Sequence, residues 1–361
     1  MFDLLNKQFS QHTSDKQHEY EKKISIVIPV YNLENYIVEC LDSVRKQSFA
    51  DYEALIVNDG STDNSEKIIC EYIEQHNLKN FYLYNKQNGG ISSARNLAIE
   101  KATGEWLLFV DGDDWIEPDC LKVFMDVLDR NPSDLVIGGF QAYDCISGES
   151  EIWSNYTVEY DERPGLFNSL ESFEFCWGRL YKKSIIDEHG LRFDERIKYA
   201  EDNAWQFDYN QWIASYSCSN EIVYNYRINR PGSSTLKLVT PQMKYHIWEH
   251  MVTFVQACDN KILCEAVSKN NILNRVSWSV LSTAAVNNIL EKKYSDAKEI
   301  MKMDIAKKIL ESYIPRTRKD DVFIALWKKP FILFAAFVNI YYRNFTKLRK
   351  SKLIRILSKG K

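Results

Sequence analysis

Three aspartates lie within four residues in the stretch FVDGDDWIEPD, which begins at Phe109. Asp111, Asp113 and Asp114 directly follow an apolar run, so the charges stand where the chain leaves the core, and Gly112 permits a tight turn there. Carboxylates that converge at a strand end suit a divalent cation, Mg²⁺ or Mn²⁺, which prefers oxygen ligands and shares its coordination shell with phosphates. The alternative interpretation is a solvated turn that caps the next helix.

Other polar residues of the chain have types that suit a nucleoside diphosphate. Asp59, in VNDGSTDNS, could accept hydrogen bonds from a base or a ribose. In NGGISSARN, Gly89 and Gly90 permit close backbone approach, and the helix that begins near Ser92 presents its N-terminus to phosphate. Arg95 adds a fixed cation. Each signal alone is weak, but together and in this order they predict a nucleotide site.

Each of these polar groups follows a predicted buried strand or the loop after it. The strands are ISIVIPV, EALIVN, NFYLYN, EWLLFV and DLVIGGF, and helical patterns separate them. This alternation predicts an α/β fold with a mostly parallel sheet flanked by helices, in which ligands bind at the carboxyl ends of the strands. Further along, FEFCWGRLYKKSII and YAEDNAWQFDYNQWI are predicted as helices, and EIVYNYRINRPGSST as a strand that runs into a polar turn.

Composition narrows the class of protein. The 361 residues carry a net charge of −4, which argues against a protein that coats nucleic acid. The eight cysteines form no CxxC pair and indicate reduced thiols in a cytosolic protein. Residues 1–22 have no apolar segment typical of a signal peptide and are interpreted as a polar leader.

The C-terminal part divides into a helical region, 235–318, and a tail, 319–361. Within the tail, an almost uncharged run of 13 residues precedes eight Lys or Arg residues, which have no acidic residue among them. The run is too short to span a bilayer but fits a helix in the interface of an anionic membrane. A helix packed on the protein itself is the alternative. The tail therefore predicts a peripheral protein on the cytoplasmic face of the cell membrane.

The motifs SIVIPVYN, VNDGSTDNS, NGGISSARN, FVDGDD and AEDNAW together resemble those of family 2 glycosyltransferases over residues 23–234. The resemblance implies a GT-A (Rossmann-like) fold, with a nucleotide-sugar-binding half at 23–139 and an acceptor and catalytic-base half at 140–234. It also implies an inverting, metal-dependent transfer of one sugar from a nucleotide diphosphate donor, usually UDP-linked. The acceptor is expected to be a saccharide, such as a lipid-linked precursor of a capsule or O-antigen.

The resemblance assigns roles by position in these motifs. It places the nucleotide and donor sugar against the following residues: Pro29, Tyr31, Asp59, Asp63, Gly90, Arg95, Asp111 and Asp114. Asp113 is the main metal ligand, with Asp111 beside it. Asp202 matches the catalytic base.

Other residues are expected on the acceptor side or beside the diphosphate. Glu201 stands beside the predicted base, and an acid that favours the helix dipole is the better interpretation of it. Trp177 and Arg179 resemble an acceptor-side motif in which Lys is common at the position of Arg179. Arg230 is proposed to close over the diphosphate, and a solvated turn arginine is an equal alternative.

Two other classes of protein and a zinc-peptidase motif are alternatives to a glycosyltransferase. A sugar-nucleotide transferase should show a Gly-rich loop near its first strand, which PVYNLENY lacks. A non-catalytic nucleotide-sugar-binding protein would tolerate loss of Asp113 or Asp202, and both are present. HIWEH, which ends at His250, matches the H-x-x-E-H pattern of some zinc peptidases, but no third ligand is apparent. Two partly buried helix residues are the favoured interpretation of its histidines.

Overall fold

A computed structural model describes residues 20–154, 156, 159–162 and 175–231, and the single or short positions 250, 289, 294, 325, 331–333, 335–336 and 338. The predictions for most of the leader, the helical region and the tail lie outside the described residues. The chain divides into two compact units. Unit 1 comprises Met1–Tyr160, Trp177–Arg192 and Ile213–Ile228, and unit 2 comprises Asp161–Cys176, Phe193–Trp212 and Asn229–Lys361.

The described part of the chain forms one mixed sheet, in which eight strands have the order β3-β2-β1-β4-β9-β6-β10-β5 and β7 pairs with β6. The strands are β1 Lys22–Val30, β2 Tyr52–Asn58, β3 Phe81–Asn85, β4 Gly104–Phe109, β5 Trp115–Ile116, β6 Leu135–Asp144, β7 Ser150–Ile152, β8 Tyr160–Glu162, β9 Arg179–Lys182 and β10 Ser215–Ile228. The helices are α1 Ile37–Arg45, α2 Ser65–Gln75, α3 Ile91–Lys101, α4 Cys120–Arg130, α5 Lys183–Glu188 and α6 Glu201–Asn210.

The first four strands are parallel, as predicted. β1 lies between β2 and β4, with Ile28 beside Ile56 and Val27 beside Phe109. All seven residues of β2 are buried, because helices cover both faces of a parallel sheet, and this explains the uninterrupted apolar runs. Since the four strands point the same way, their carboxyl ends and the polar loops that follow lie along one edge.

The amphipathic pattern of the helices accounts for their packing. α1 buries Ile37, Cys40, Leu41 and Val44, which recur at the three- and four-residue spacing of one helical face. α4 buries Leu121 and Phe124 in the same way. These helices shield the apolar strands of unit 1 from water.

The helix predicted across FEFCWGRLYKKSII is wrong in its central part. Arg179–Lys182 is strand β9, and helix begins only at Lys183. β9 pairs antiparallel with both β4 and β6, with Tyr181 beside Leu107 and also beside Leu135. Strand preference depends on the neighbours available, and here two open strand edges outweigh the helical pattern. This strand joins the parallel half of the sheet to β6 and β10.

No helix within the described residues has both the length and the apolar character needed to cross a bilayer.

A hydrogen-bonded cluster around the buried carboxylate of Glu53 lies at the amino-terminal edge of the sheet, the edge opposite the polar loops. Glu53 Oε1 accepts hydrogen bonds from Ser25 Oγ at 2.6 Å, Thr103 N at 2.7 Å and Thr103 Oγ1 at 2.9 Å. Ser25 Oγ in turn accepts from Gly104 N at 2.8 Å. The cluster therefore connects β1, β2 and the start of β4.

Replacing Glu53 with alanine should lower the free energy of unfolding by about 3 kcal/mol, because the buried hydroxyl of Ser25 and two partly buried donors of Thr103 lose their acceptor. Glu53→Gln keeps one acceptor oxygen and should cost less. Urea denaturation measures both. Glu105→Gln is the matched control, since Glu105 is paired with Lys23 at a half-exposed surface position and should change stability by under about 1 kcal/mol. Equal losses for Glu53→Ala and Glu105→Gln would contradict the assignment.

Candidate active site

The loops after β1 and β2 are joined by reciprocal hydrogen bonds. Asn32 has a left-handed backbone, with φ of 54°, which Asn tolerates better than most residues. Its Oδ1 accepts from Thr62 N at 2.8 Å, and its N–H donates to Ser61 Oγ at 3.0 Å. Pro29 is buried at the end of β1, whereas Tyr31 is exposed in the loop. The exposed ring is available to a ligand at this edge.

Asp63 supports the same pair of loops. Its carboxylate accepts from Glu34 N at 3.1 Å and from Ser65 N at 3.0 Å, next to the start of α2. Burial raises the pKa of Asp63, but the hydrogen bonds from Ser65 and Glu34 outweigh burial and lower it overall. The carboxylate is therefore ionised and holds the loop, and its predicted contact with the nucleotide stays a prediction.

Asp59 fastens the end of β2 to the glycine loop before α3. It is buried, and Lys86 Nζ lies 2.7 Å from Oδ1. Gly89 N donates to Oδ1 at 2.9 Å and Gly90 N to Oδ2 at 2.7 Å. Gly90 has a φ of 92°, which only glycine adopts readily. Both carboxylate oxygens thus have partners inside the protein, and the predicted contact of Asp59 with a base or ribose is untested.

The acidic turn after β4 is anchored by Arg95 of α3. Arg95 is 1% exposed, and its Nη2 lies 2.8 Å from Asp111 Oδ1. Asp111 and Asp113 both stay partly exposed. The structure therefore brings together Arg95, Asp111 and Asp113 near the end of a parallel strand.

Asp114 differs from its two neighbours because it is buried. Its Oδ2 accepts from Tyr224 Oη at 2.7 Å, and its Oδ1 accepts from Arg227 N at 2.7 Å. Burial, followed by the charges of Asp113 and Asp111, raises the pKa of Asp114 well above its usual value. This carboxyl group acts as an internal anchor to β10, and its contact with a donor sugar stays a prediction.

Trp177 and Arg179, predicted on the acceptor side, are both buried in unit 1. The Trp177 ring stacks on Tyr224, with centroids 4.4 Å apart and an interplanar angle of 7°. Arg179 lies in β9 beside Ile137. Trp177 therefore supports the residue that holds Asp114. Direct contact of either side chain with an acceptor stays a prediction.

The sequence motifs predict no role for Tyr224 or Arg227 of β10, although both contact the acidic turn. Both residues lie within EIVYNYRINRPGSST, where their neighbours in the sequence are mostly apolar or aromatic. A long polar side chain in a buried strand is the one signal that could have marked Arg227, because such a group must find a partner.

Asp202 and Glu201 lie in unit 2, in the first turn of α6. The helix follows Ala200, whose φ of 58° is left-handed, and it buries Trp205 against Phe193 with ring centroids 4.4 Å apart. Asp202 and Glu201 are partly exposed. Arg230, also in unit 2, is partly exposed and donates to Pro231 O at 3.3 Å. Their predicted roles stay predictions.

His250, the last residue of HIWEH, contacts carboxylates of unit 2. Its Nε2 lies 3.0 Å from Asp208 Oδ1, and its Nδ1 lies 3.8 Å from Asp194 Oδ2. Burial lowers the pKa of His250, but the hydrogen bond and charge of Asp208, with the charge of Asp194, outweigh burial and raise it. His246 lies outside the described residues.

This pKa shift predicts a pH-dependent stability. Because the folded pKa of His250 is raised above its ordinary 6.5, its stabilising contribution is complete below about pH 6.5 and disappears as pH rises through the folded value. Thermal midpoints of the wild-type protein and His250→Gln should differ most near pH 6 and converge at alkaline pH. Asp208→Asn, which removes the main partner but leaves Asp194, should reduce the pH dependence. A difference that stays constant with pH would contradict the prediction.

Asp111 and Asp113 have the chemistry that a divalent cation requires. Among the residues that the structure describes, no group of three or more His, Cys, Asp or Glu could hold a metal ion. Mg²⁺ and Mn²⁺ commonly bind through one or two carboxylates and complete their shell with substrate phosphates and water. The two partly exposed carboxylates therefore fit a cation that binds together with a nucleoside diphosphate.

Part of the chain matches a known family of sequences. Residues 25–190 match the family model "Glycosyl transferase family 2". EpsH of Bacillus subtilis (strain 168) is 36% identical over 214 residues, which are 57% of this chain and 61% of EpsH. A poly(ribitol-phosphate) beta-glucosyltransferase of Bacillus spizizenii is 32% identical over 240 residues, 66% of this chain and 37% of that enzyme. The chain thus spans less than two thirds of the length of these relatives.

Solved structures show the same fold. Residues 1–349 of S. aureus TarS in complex with UDP-GlcNAc superpose with a TM-score of 0.68 at 22% identity, over 89% of this chain and 92% of that one. The mannosyltransferase PcManGT from Pyrobaculum calidifontis, in complex with GDP-Man and Mn²⁺, gives a TM-score of 0.54 at 16% identity over 94% of both chains. These similarities confirm the predicted GT-A fold.

Proposed function

Residues 25–190 are a family 2 glycosyl transferase domain, and from this premise we propose that the protein transfers one sugar from a UDP-sugar to a hydroxyl group of a cell-surface polymer or its precursor. The observation that carries the proposal is the acidic turn. Asp111 and Asp113 stand partly exposed beside Arg95 at the carboxyl edge of the sheet. This is the edge at which α/β sheets bind nucleotides.

The proposed donor site is formed by the loops after β1, β2, β3 and β4 at that edge. Tyr31 offers an exposed aromatic face beside the loop of Asp59, where the base and ribose are proposed to bind. The amino end of α3 favours the negative charge of a diphosphate. Asp111 and Asp113 would hold Mn²⁺ or Mg²⁺, which stabilises the charge that develops on a departing diphosphate.

Asp202 is proposed as the catalytic base. A hydroxyl group is a poor nucleophile at neutral pH, so a carboxylate must accept its proton as the oxygen attacks the anomeric carbon. The new bond forms on the face opposite the departing UDP, and one displacement inverts the configuration. The resemblance of AEDNAW to a motif of family 2 glycosyltransferases supports this assignment. Glu201, Trp177 and Arg179 are proposed to serve the acceptor side.

The acceptor class is proposed from the relatives. The Bacillus spizizenii relative is named for transfer to poly(ribitol phosphate), a surface polymer. We propose an acceptor of this class, or a lipid-linked saccharide precursor of a surface polysaccharide. Either would be presented at a membrane, and the basic tail at 319–361 is proposed to bind the anionic cytoplasmic face.

Truncation after Thr317 should abolish flotation with anionic vesicles and leave flotation with neutral vesicles unchanged.

One assay tests the function. UDP release is measured with a panel of UDP-sugars and two acceptor preparations, poly(ribitol phosphate) and extracted lipid-linked saccharide, each with and without EDTA. The proposal expects acceptor-dependent UDP release with one donor, and loss of that release in EDTA. Acceptor-dependent release that persists in EDTA would refute the metal requirement, and the absence of release with every donor would refute the transfer.

A further inference from the structure

Arg227, near the end of β10, contacts the acidic turn through both its main chain and its side chain. Its Nε donates to the main-chain oxygen of Asp113 at 2.7 Å, and its main-chain N donates to Asp114 Oδ1 at 2.7 Å. Nη2 lies 2.6 Å from Glu39 Oε2 of α1. The Arg227 side chain is 8% exposed, whereas that of Glu39 is 56% exposed. The guanidinium group thus connects the turn with α1 from below the surface.

Three aromatic rings surround the same guanidinium group. Its Cζ lies 4.7 Å from the centroid of Trp115, 5.3 Å from Tyr36 and 5.8 Å from Tyr143. Cations are attracted to aromatic faces at these distances, and the planar guanidinium suits them better than an ammonium. The rings come from the loop before α1, from β5 and from β6. Arg227 therefore has little freedom to move away from Asp113.

Tyr224 holds the other end of the turn from the same strand. Its hydroxyl oxygen accepts from Asp111 N at 3.1 Å, and its hydroxyl donates to Asp114 Oδ2 at 2.7 Å. The stacking of Trp177 fixes the ring of Tyr224. Consequently β10 holds the main chain at Asp111, the side chain of Asp114 and the main chain at Asp113, and leaves the carboxylates of Asp111 and Asp113 partly exposed.

The contacts of β10 oppose the electrostatic repulsion within the acidic turn. The charges of Asp111 and Asp113 lie within three residues and repel one another, and without support the turn would open to separate them. A buried cation is costly to desolvate, so an arginine in this position is poor evidence for stability alone. Its Nε, on a guanidinium group whose Nη2 contacts Glu39, instead defines one position for the carbonyl of Asp113 and, through it, the direction of the Asp113 carboxylate.

We propose that Arg227 is a positioning residue, which fixes the backbone of Asp113 so that its carboxylate meets a cation bound with the nucleoside diphosphate. The proposal rests on the function proposed above. Arg227 touches neither the cation nor the nucleotide in this role. Its loss should therefore weaken the cooperation between Mn²⁺ and UDP rather than the binding of UDP itself.

Calorimetric titration with UDP, with and without saturating Mn²⁺, tests this inference. In the wild-type protein Mn²⁺ should raise the UDP affinity. In Arg227→Lys, and in Arg227→Met, which keeps an apolar chain over Trp115, the enhancement by Mn²⁺ should fall at least about tenfold, while the metal-free UDP affinity stays within about twofold. Glu39→Gln, at an exposed partner of Arg227, should reduce the enhancement by about threefold and leave the fold intact.

Two control variants distinguish a positioning role of Arg227 from a general loss of protein stability. Glu53→Ala lowers stability at the opposite edge of the sheet, and Arg130→Met removes an arginine whose ion pair with Glu159 is exposed. Both should keep the full Mn²⁺ enhancement below their thermal midpoints. If the wild-type protein binds no UDP, the proposed function fails. If it binds UDP with an Mn²⁺ enhancement that Arg227→Lys and Glu39→Gln retain, or with no enhancement at all, the positioning role is refuted even where Arg227→Met does not fold.

Discussion

Replacing Asp202 with asparagine should lower kcat by about 10²- to 10⁴-fold, the contribution expected of a general base. The amide keeps the size of the side chain and its place in the first turn of α6, but it cannot accept the proton of the attacking hydroxyl group. The affinity for UDP should stay unchanged, because the proposed donor residues belong to the loops of unit 1. Steady-state kinetics with the best UDP-sugar, together with UDP titration, measure both quantities.

Glu201→Gln is the matched control for Asp202→Asn. The two acids are adjacent in the same turn of α6 and both are partly exposed, so the favourable charge lost at the amino end of the helix is about the same. An effect through helix stability would appear equally in both variants. Because Glu201 is proposed to serve the acceptor side, Glu201→Gln should change the KM for the acceptor and keep kcat. A loss of kcat confined to Asp202→Asn identifies the base, whereas near-full transfer by Asp202→Asn would refute the assignment.

The parallel half of the sheet could be predicted because its signal is local. Ile26, Ile28 and Leu55 lie in short apolar runs bounded by turn residues, and such runs are typical of strands buried on both faces. The polar residues directly after these runs had to lie at one edge once the strands were parallel. This reasoning placed Asp111 and Asp113 correctly near the end of β4.

β9 could not be predicted in the same way. Arg179 to Lys182 form a strand because β4 and β6 each offer an unpaired edge, and those partners lie more than 40 residues away along the chain. The local pattern of Trp177, Leu180 and Tyr181 is compatible with a helix. The competition was therefore decided by tertiary pairing, which a single sequence does not display.

The partners of the site residues were also beyond the sequence. Lys86 and Asp59 are separated by 27 residues, and Arg227 and Glu39 by 188 residues. Nothing in the local sequence distinguishes Asp114, which is buried and anchored, from Asp113, which stays partly exposed. The types of the acidic residues indicate that they could bind a metal ion. Which of them is buried and which stays partly exposed depends on which one forms hydrogen bonds with β10.

The second large effect on activity is expected at Asp113, whose partly exposed carboxylate is the proposed metal ligand. Asp113→Asn should reduce kcat/KM by about 10³-fold, because an amide is a weaker ligand for Mn²⁺ and the charge on the departing diphosphate would lose several kcal/mol of stabilisation. The variant should also lose most of the enhancement of UDP binding by Mn²⁺. Raising the Mn²⁺ concentration should restore part of the activity, since the loss arises from occupancy as well as from geometry.

Asp119→Asn is the matched control, because Asp119 belongs to the same acidic stretch but is exposed, and its Oδ1 accepts from Ser48 Oγ at 2.6 Å. If total negative charge were what mattered, both variants would lose activity to a similar extent. If Asp113 is a metal ligand, Asp119→Asn should keep near-full activity and an unchanged response to Mn²⁺. Equal activity of Asp113→Asn and the wild-type protein at low Mn²⁺ would remove Asp113 from the metal site, and the partly exposed Asp111, already paired with Arg95, would have to hold the cation alone.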